Sequence, residues 1–215
     1  MESFLTNGGH RHCRLMKLKK DCGPVSDFVS EVEGCIKCDR RFDCRSPVLP
    51  QFVDMSKYNG FMFVGRDPSV LEDKSGKIFN VKSPHVKILG KYFKALGVSR
   101  DSSYLTNSVF CHGFENRKPN WSEVYMCSYY KLSEFSILGD RLKHVVLMGD
   151  DACRQFIGAG ESIVKHLGMR YILDIYGREV SVVIVNHPGY LLLQRGLMKE
   201  TLEILEDYRD KYVKI

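Results

Sequence analysis

Short apolar runs alternate along the chain with segments whose apolar residues recur at helical spacing. Four runs contain four to seven residues rich in Val, Ile, Leu and Phe, without the alternation of a half-exposed strand: 61–64, 104–110, 144–148 and 180–185. Continuous apolar strands are typical of a parallel sheet that is covered on both faces. The pattern therefore predicts a central four-stranded parallel sheet.

The segments between these runs predict helices. The first has apolar residues at positions 86, 89, 93 and 96 and ends at Gly97, and further helices are expected at 121–138, 150–158 and 199–213. Glycine directly after the last apolar position is a common helix end. Strands that alternate with helices in this way favour the α/β class, here a three-layer α/β/α sandwich.

Three segments with polar residues and glycine lie at the ends of predicted strands. They are "GRDPS" at 65–69, "NSVFCHGF" at 107–114 and "NHPGYLLL" at 186–193. Ligands of open α/β sheets bind beyond the carboxyl ends of the strands. The sequence thus predicts one binding site formed by these three segments.

The composition is that of one soluble globular domain, with 215 residues, 44% hydrophobic and 27% charged. No stretch approaches the roughly 20 apolar residues of a membrane helix, and the N-terminus lacks the apolar core of a secretory signal. We therefore expect an intracellular monomer that does not enter a membrane. The net charge of +6 adds modest support for a polyanionic partner. Residues 1–32 are basic and weakly periodic, and we expect them to form an N-terminal extension to a domain at 33–215.

Eight cysteines in an intracellular protein favour metal binding or free thiols over disulfides. Cys35 and Cys38 form a Cys-x-x-Cys pair, which serves zinc, iron–sulfur and redox sites alike. A zinc ribbon needs a second close pair, whereas Cys111 and Cys127 are sixteen positions apart, a separation that suits a [4Fe–4S] cluster. The alternatives are that Cys111 and Cys127 are buried small residues, that Cys44 competes as a ligand, or that the metal is zinc.

The motifs, taken together and in order, resemble a known family. "GCIKC", "FVGRDPSVLEDKSGKIF", "YLTNSVFC", the distant Cys127 and "NHPGYLL" are similar to the uracil-DNA glycosylase superfamily, and within it to the iron–sulfur group called family 4. The resemblance covers residues 33–212. It implies a structural [4Fe–4S] cluster held by Cys35, Cys38, Cys111 and Cys127.

The resemblance also implies roles in DNA chemistry. The target nucleotide must be flipped out of the stack into a pocket, where Phe79 would stack on the base and Asn107 would bind its Watson–Crick edge. His187 would donate a hydrogen bond to the oxyanion that develops at O2 of the base. The next residues would fill the gap in the duplex: Tyr190, Leu191 and Leu192. The implied reaction is hydrolysis of the N-glycosidic bond of uracil or a related pyrimidine, without strand cleavage because no lysine is placed as a Schiff-base nucleophile.

The segment after the first predicted strand departs from the family. The iron–sulfur group has Gly-Glu-Ala-Pro-Gly where this chain has Gly65, Arg66, Asp67, Pro and Ser. Asp67 matches the aspartate that orients the attacking water in family 1 enzymes, with Glu72 and Asp73 as rival carboxylates. A turn without a catalytic role remains an alternative for Asp67. The charge reversal at Arg66 indicates either a phosphate contact or a catalytically silent relative that only binds DNA.

Ser69 is a second departure, because a tyrosine at this position blocks the 5-methyl group of thymine in family 1. A small polar side chain leaves room for a 5-substituted uracil such as hydroxymethyluracil. Basic residues are the candidates for contacts with DNA phosphates, which position a duplex without reading its sequence. These candidates are the run 11–20, Arg40, Arg41, Arg117, Lys118 and Arg195.

Overall fold

The computed structural model describes residues 12–14, 25–158 and 162–213. In this part of the chain six strands form one sheet: β1 His12–Arg14, β2 Phe61–Gly65, β3 Tyr104–Asn107, β4 His144–Met148, β5 Arg170–Ile175 and β6 Arg178–Val185. Seven α-helices accompany them: α1 Val25–Glu33, α2 Val70–Ser75, α3 Pro84–Leu96, α4 Trp121–Leu138, α5 Asp150–Ile157, α6 Pro188–Leu193 and α7 Met198–Tyr212. The α/β class is therefore confirmed.

The strand order in the sheet is β1-β5-β6-β4-β2-β3. The four predicted strands are its parallel centre, since β4 pairs in parallel with both β2 and β6, and β2 with β3. The sheet is wider than the four strands predicted. β5 pairs antiparallel to β6 across a tight turn at Tyr176 and Gly177, both of which have positive φ, and β1 pairs in parallel with β5.

Two apolar cores cover the two faces of the sheet, as the three-layer prediction requires. Phe61 and Phe63 of β2 pack in one core with residues of α3, α6 and α7. Met62 and Val64 of the same strand pack in the other core with residues of α4 and α5. The side chains of β2 thus alternate between two buried faces, which explains why the strand reads as one continuous apolar run.

The ends of the elements set the position of the loops around the sheet. α3 ends at Gly97, whose φ of 69° is left-handed, and α4 begins after Asn120, whose side chain accepts a hydrogen bond from Glu123 N at 2.9 Å. The strand predicted at 104–110 is shorter, because β3 ends at Asn107. Its continuation still bonds to the end of β2, since Ser108 N donates to Gly65 O at 2.9 Å.

Helix α1 lies within the segment predicted as an N-terminal extension. Its Phe28 and Val32 are buried against Phe110 and Tyr130, so this part of the segment packs on the domain. The division of the chain at residue 32 stays a prediction, and the basic run 11–20 lies largely outside the described residues. No helix in the described ranges is long and apolar enough to cross a membrane.

Candidate active site

The carboxyl ends of the central strands lie side by side and carry most of the residues predicted for the site. Gly65 ends β2, Asn107 ends β3 and His187 follows β6. Gly65 and Asn107 are in close contact. A methyl group at Gly65 would overlap Asn107 Oδ1 and would lie 2.8 Å from Cζ of Phe79. Glycine at position 65 therefore allows the Asn107 amide and the Phe79 ring to meet at the end of the strand.

The Asn107 side chain is buried, with 1% of its surface exposed. Its Nδ2 has no hydrogen-bond partner among the described residues. A buried polar group without a partner costs about 1–3 kcal/mol, and most buried polar groups are paired. A ligand that bonds to this amide would remove the cost. The buried, unpaired Nδ2 is therefore a suitable donor for a ligand at the strand end.

The Phe79 ring is buried and its backbone is strained, with φ of 45°. Glu72 accepts a hydrogen bond from Phe79 N, and Arg100 donates to Phe79 O at 3.0 Å. A left-handed conformation at a non-glycine residue costs about 1–3 kcal/mol and persists only where its surroundings enforce it. The Glu72 carboxylate also accepts from Ser69 N at 2.7 Å, at the start of α2. Glu72 thus supports the pocket wall through two backbone groups.

His187 is fixed in one tautomer by its own helix. Its Nδ1 accepts a hydrogen bond from Gly189 N at 3.0 Å, so a neutral imidazole carries its proton on Nε2. Burial, together with the charges of His85 and Arg66, lowers the pKa of His187 to about 3. The ring centroid of His85 lies 6.2 Å from that of His187 and 6.4 Å from that of Phe79. His85 was not predicted, because a histidine at the start of a helix gives no signal of its own.

Asp67 is buried and held by two arginines. Its carboxylate accepts hydrogen bonds from Nη2 of Arg40 and Nε of Arg66. Burial raises the pKa of Asp67 above its usual value, and the positive charges of Arg66, Arg40 and His112 oppose that rise. Asp73, the more distant rival, accepts instead from Arg45 N at 2.9 Å. Among the three carboxylates considered from the sequence, Asp67 is the one joined to the arginine at the strand end.

Arg40 does not have the position that the sequence predicted for it. The side chain is fully buried, with 0% exposed, so the prediction that it contacts DNA phosphates is wrong. Arg117, another arginine predicted to contact phosphates, is accessible, with 39% of its side chain exposed, although it pairs with Asp43 and Glu123.

The end of β4 adds a segment that the sequence analysis did not assign to the site. β4 lies between β2 and β6 in the sheet, and a methyl group at Gly149 would lie 2.9 Å from Cβ of His187. Asp151, in the first turn of α5, is half-buried, and burial raises its pKa against the opposing charge of Arg66. Asp150 and Asp151 begin the predicted helix at 150–158, and aspartates at a helix start indicate no more than a helix end.

Of the three residues predicted to fill the gap in the duplex, Tyr190 and Leu192 are accessible on helix α6 and Leu191 is not. Leu191 is fully buried in the core and offers no surface to DNA. Tyr190 is 48% exposed and Leu193 is 80% exposed, while Leu192 is half-buried against the core. The accessible apolar surface beside His187 therefore consists of Tyr190, Leu193 and part of Leu192.

The four cysteines predicted as ligands lie near one another, with Cys44 beside them. Burial, together with smaller contributions from the nearby Cys38 and Cys35, raises the pKa of Cys127 to about 11. A hydrogen bond to Cys44 and burial raise the pKa of Cys111, to which Cys127 and Cys38 also contribute. Cys153 is separate from this group and lies in the core on the α5 side.

The all-thiolate donor set is of a type that can hold an iron–sulfur cluster. Within the described ranges, no three His, Cys, Asp or Glu residues are placed to hold one metal ion. In a [4Fe–4S] cluster each thiolate binds a different iron atom, so the four sulfurs lie farther apart than the ligands of one ion. An all-thiolate set is a donor type that binds zinc as well as such clusters. The buried Lys131 is close enough to Cys127 to oppose the rise in the pKa of that thiol, and its ammonium is paired with Glu134.

Comparisons with known proteins identify the family of the chain. Residues 56–209 match the family model of the uracil DNA glycosylase superfamily. The Type-4 uracil-DNA glycosylase of Sulfurisphaera tokodaii is 31% identical over 191 residues, or 86% of this chain and 84% of the relative. The corresponding protein of Thermotoga maritima is 30% identical over 186 residues (85% and 92%), and that of Archaeoglobus fulgidus 27% over 180 residues (82% and 87%). The chain belongs to the uracil DNA glycosylase superfamily.

Proposed function

We propose that the protein is a monofunctional DNA glycosylase that hydrolyses the N-glycosidic bond of uracil, or of a related modified pyrimidine, and leaves an abasic site. This reaction is the first step of base excision repair. The observation that carries the proposal is the buried amide nitrogen of Asn107, which has no partner among the described residues and lies at the strand end where Asn107 and the Phe79 ring both approach Gly65. Relatives that share about 30% of their residues with this chain bear the name uracil-DNA glycosylase.

Base recognition follows from the chemistry of that pocket. A flipped uracil presents an N–H donor at N3 and a carbonyl acceptor at O4. The Asn107 amide matches both, because Oδ1 accepts from N3–H and Nδ2 donates to O4. The Phe79 ring supplies the face on which a flipped base stacks. The Ser69 side chain, at the start of α2, leaves room at the 5-position of the base, so 5-hydroxymethyluracil belongs to the substrates to be tested.

His187 stabilises the leaving base as a neutral donor. Breaking the glycosidic bond leaves negative charge on O2 of uracil, and the Nε2–H of His187 donates to that oxygen. Since its pKa is about 3, the imidazole is neutral at physiological pH and acts through a hydrogen bond rather than by transferring a proton. A preorganised donor aimed at developing charge is worth roughly 3–4 kcal/mol of barrier.

Asp67 is proposed to act on the sugar side of the bond. An anionic carboxylate there favours the cationic sugar of the transition state and orients the attacking water. Each carboxylate oxygen has two lone pairs, so the hydrogen bonds from Arg40 and Arg66 leave acceptor sites for a water. The Arg66 side chain is 35% exposed, and we assign it to a phosphate next to the flipped nucleotide. A phosphate that attracts Arg66 would free one oxygen of Asp67.

The duplex and the cysteines complete the proposal. Tyr190 and Leu192, together with the exposed Leu193, would fill the gap left by the flipped nucleotide. Cys35, Cys38, Cys111 and Cys127 would hold a [4Fe–4S] cluster, which would supply a structural cross-link between the N-terminal segment, the loop after β3 and α4. A glycosylase acts where DNA is kept, so we expect an intracellular monomer.

The second candidate function is a DNA-binding relative without activity. The pairing of Asp67 with two arginines favours it, because their positive charge opposes a cationic sugar. The names of the relatives favour the enzyme.

An abasic-site assay on the purified protein distinguishes the two functions. Single- and double-stranded oligonucleotides would carry uracil, 5-hydroxymethyluracil, hypoxanthine or a G·T mispair, followed by alkali. We expect cleavage confined to uracil-type bases and slowed by orders of magnitude, to a residual rate, in Asp67→Asn and His187→Ala. A protein that binds DNA and contains iron but cleaves none of these substrates would leave only the DNA-binding function. Iron and zinc analysis of the same sample distinguishes the cluster from a zinc site.

A further inference from the structure

Arg40 is a fully buried arginine that joins the cysteine-bearing segment to Asp67. It lies two residues after Cys38, in the short 3-10 helix Asp39–Phe42. No part of the side chain is exposed. A buried guanidinium is costly unless its donors are paired, so its partners show what the residue holds in place.

The guanidinium makes hydrogen bonds to three other segments of the chain. Nε donates to Cys111 O at 2.8 Å, and Nη2 donates to Arg117 O at 3.1 Å and to the Asp67 carboxylate. Nη1 donates to Glu123 Oε2 at 3.4 Å. Arg40 thus bridges the turn after β2, the loop after β3 and the first turn of α4.

The loop after β3 is shaped around this side chain. A methyl group at Gly113 would lie 2.6 Å from Arg40 Nη1 and 2.7 Å from Arg117 O. The missing side chain at position 113 therefore makes room for the guanidinium. This close fit fixes the orientation of the planar guanidinium group of Arg40 relative to the ends of the strands.

The two acidic partners of Arg40 depend on it to different degrees. Glu123 has a second arginine of its own, since Arg117 donates to its two oxygens at 3.0 and 2.7 Å. The other partner of Asp67 is Arg66, whose side chain is partly exposed. Arg40 is therefore the fixed partner of Asp67 and Arg66 the accessible one.

We propose that Arg40 is a positioning residue for Asp67, which fixes the orientation of the carboxylate and joins it to the segment that carries Cys35 and Cys38. The inference rests on the glycosylase function proposed above and deepens it. One consequence is that the site is complete only when the cysteine segment is in place. The other ionisable groups that face Asp67 are Arg66, His112 and Asp151.

The primary test compares Arg40→Gln with the wild type in single-turnover uracil excision. A carboxylate displaced by about 1 Å costs about 100-fold in rate, and we expect a loss of that order in kcat with little change in the Kd for DNA. Without Arg40 the pKa of Asp67 rises, so the acid limb of the pH–rate profile should move up by about 1–3 pH units. Arg45→Gln is the matched control, because Arg45 is exposed and only its backbone N–H bonds to Asp73.

A double variant tests whether Arg40 acts through Asp67. Arg40→Gln combined with Asp67→Asn should be no slower than Asp67→Asn alone, because the group that Arg40 positions is already lost. Additive losses would overturn the proposal. Arg40→Lys keeps the positive charge but loses the planar guanidinium with its paired donors. The acid limb of its pH–rate profile should therefore lie where it does in the wild type, whereas its kcat should be only partly recovered.

Iron content and thermal unfolding accompany each variant. If Arg40→Gln loses its iron, Arg40→Lys is compared with the wild type instead. An Arg40→Lys variant that keeps its iron and has the kcat and the pH profile of the wild type would also overturn the proposal. An inactive wild type refutes the glycosylase function itself. If the wild type is active and the losses of rate in Arg40→Gln and Asp67→Asn add up in the double variant, only the role of Arg40 is refuted.

Discussion

The backbone N–H of Gly189 donates to Nδ1 of His187 at 3.0 Å, across the first turn of α6. The bond caps the helix and at the same time decides which ring nitrogen carries the proton. The Pro-Gly pair after the histidine allows this geometry, since proline is suited to the first helical position and glycine leaves its N–H accessible. A helix-capping contact thereby leaves the proton of the neutral ring on Nε2, the donor that the proposed mechanism requires.

The first prediction concerns the charge of His187. Its pKa of about 3 lies below the value of about 6.5 for an unfolded histidine. The unfolded chain therefore binds a proton more readily, and stability that is present above about pH 6.5 is lost as pH falls towards 3. We expect no protonation of His187 between pH 5 and 8 in an NMR titration of its ring nitrogens. A ring that titrates near pH 6.5 would contradict the neutral-donor mechanism.

The second prediction uses Gly65, where a side chain would overlap the Asn107 amide and meet the Phe79 ring at 2.8 Å. Gly65→Ala should lose at least about 100-fold in uracil excision, because the pocket wall must shift. Gly90→Ala is the matched control. Gly90 is exposed in α3 with nothing within 4 Å of an added methyl group. It should keep full activity and gain about 0.5–1 kcal/mol in unfolding free energy. Equal activity of the two variants would exclude a tight pocket at Gly65.

The third prediction separates stability from function at Asn107. Its buried Nδ2 has no partner in the described part of the chain, so an apolar side chain of similar shape removes an unsatisfied group. Asn107→Leu should be about 1 kcal/mol more stable than the wild type in urea unfolding and inactive on uracil. A destabilised variant would show that the amide is bonded in solution, and retained activity would show that it does not bind the base.

The sequence predicted the elements whose pattern is local and continuous. β2, β4 and the helices α3 and α4 have long apolar runs or clear ends at glycine. β5 was missed because Arg170 and Asp174 interrupt its apolar run, and the strand is established by pairing with β6. Helix α1 was missed because its apolar face, Phe28 and Val32, is short and surrounded by charged residues.

The sequence also predicted part of the candidate site, namely the residues that lie at or just after the ends of strands. Gly65, Asn107 and His187 lie at strand ends, which the sequence indicates directly. Arg40 could not be recognised, because an arginine beside other charged residues looks solvated, and its burial arises only from partners 27 to 83 positions away. Leu191 and Leu193 are alike in sequence but differ in exposure, since which leucine faces the core depends on how α6 packs.

That difference in exposure gives the last prediction. Leu193 is 80% exposed, whereas Leu191 is fully buried in the core. Leu193→Ala should leave stability unchanged and slow excision from double-stranded DNA more than from single-stranded DNA, because only a duplex has a gap to fill. Leu191→Ala should instead lose about 2–5 kcal/mol of unfolding free energy and affect both substrates alike. Excision rates on the two substrates, with urea unfolding of both variants, provide the measurement. If Leu193→Ala slows both substrates equally, the wedge does not lie on the exposed end of α6, and Tyr190 becomes the residue to replace next.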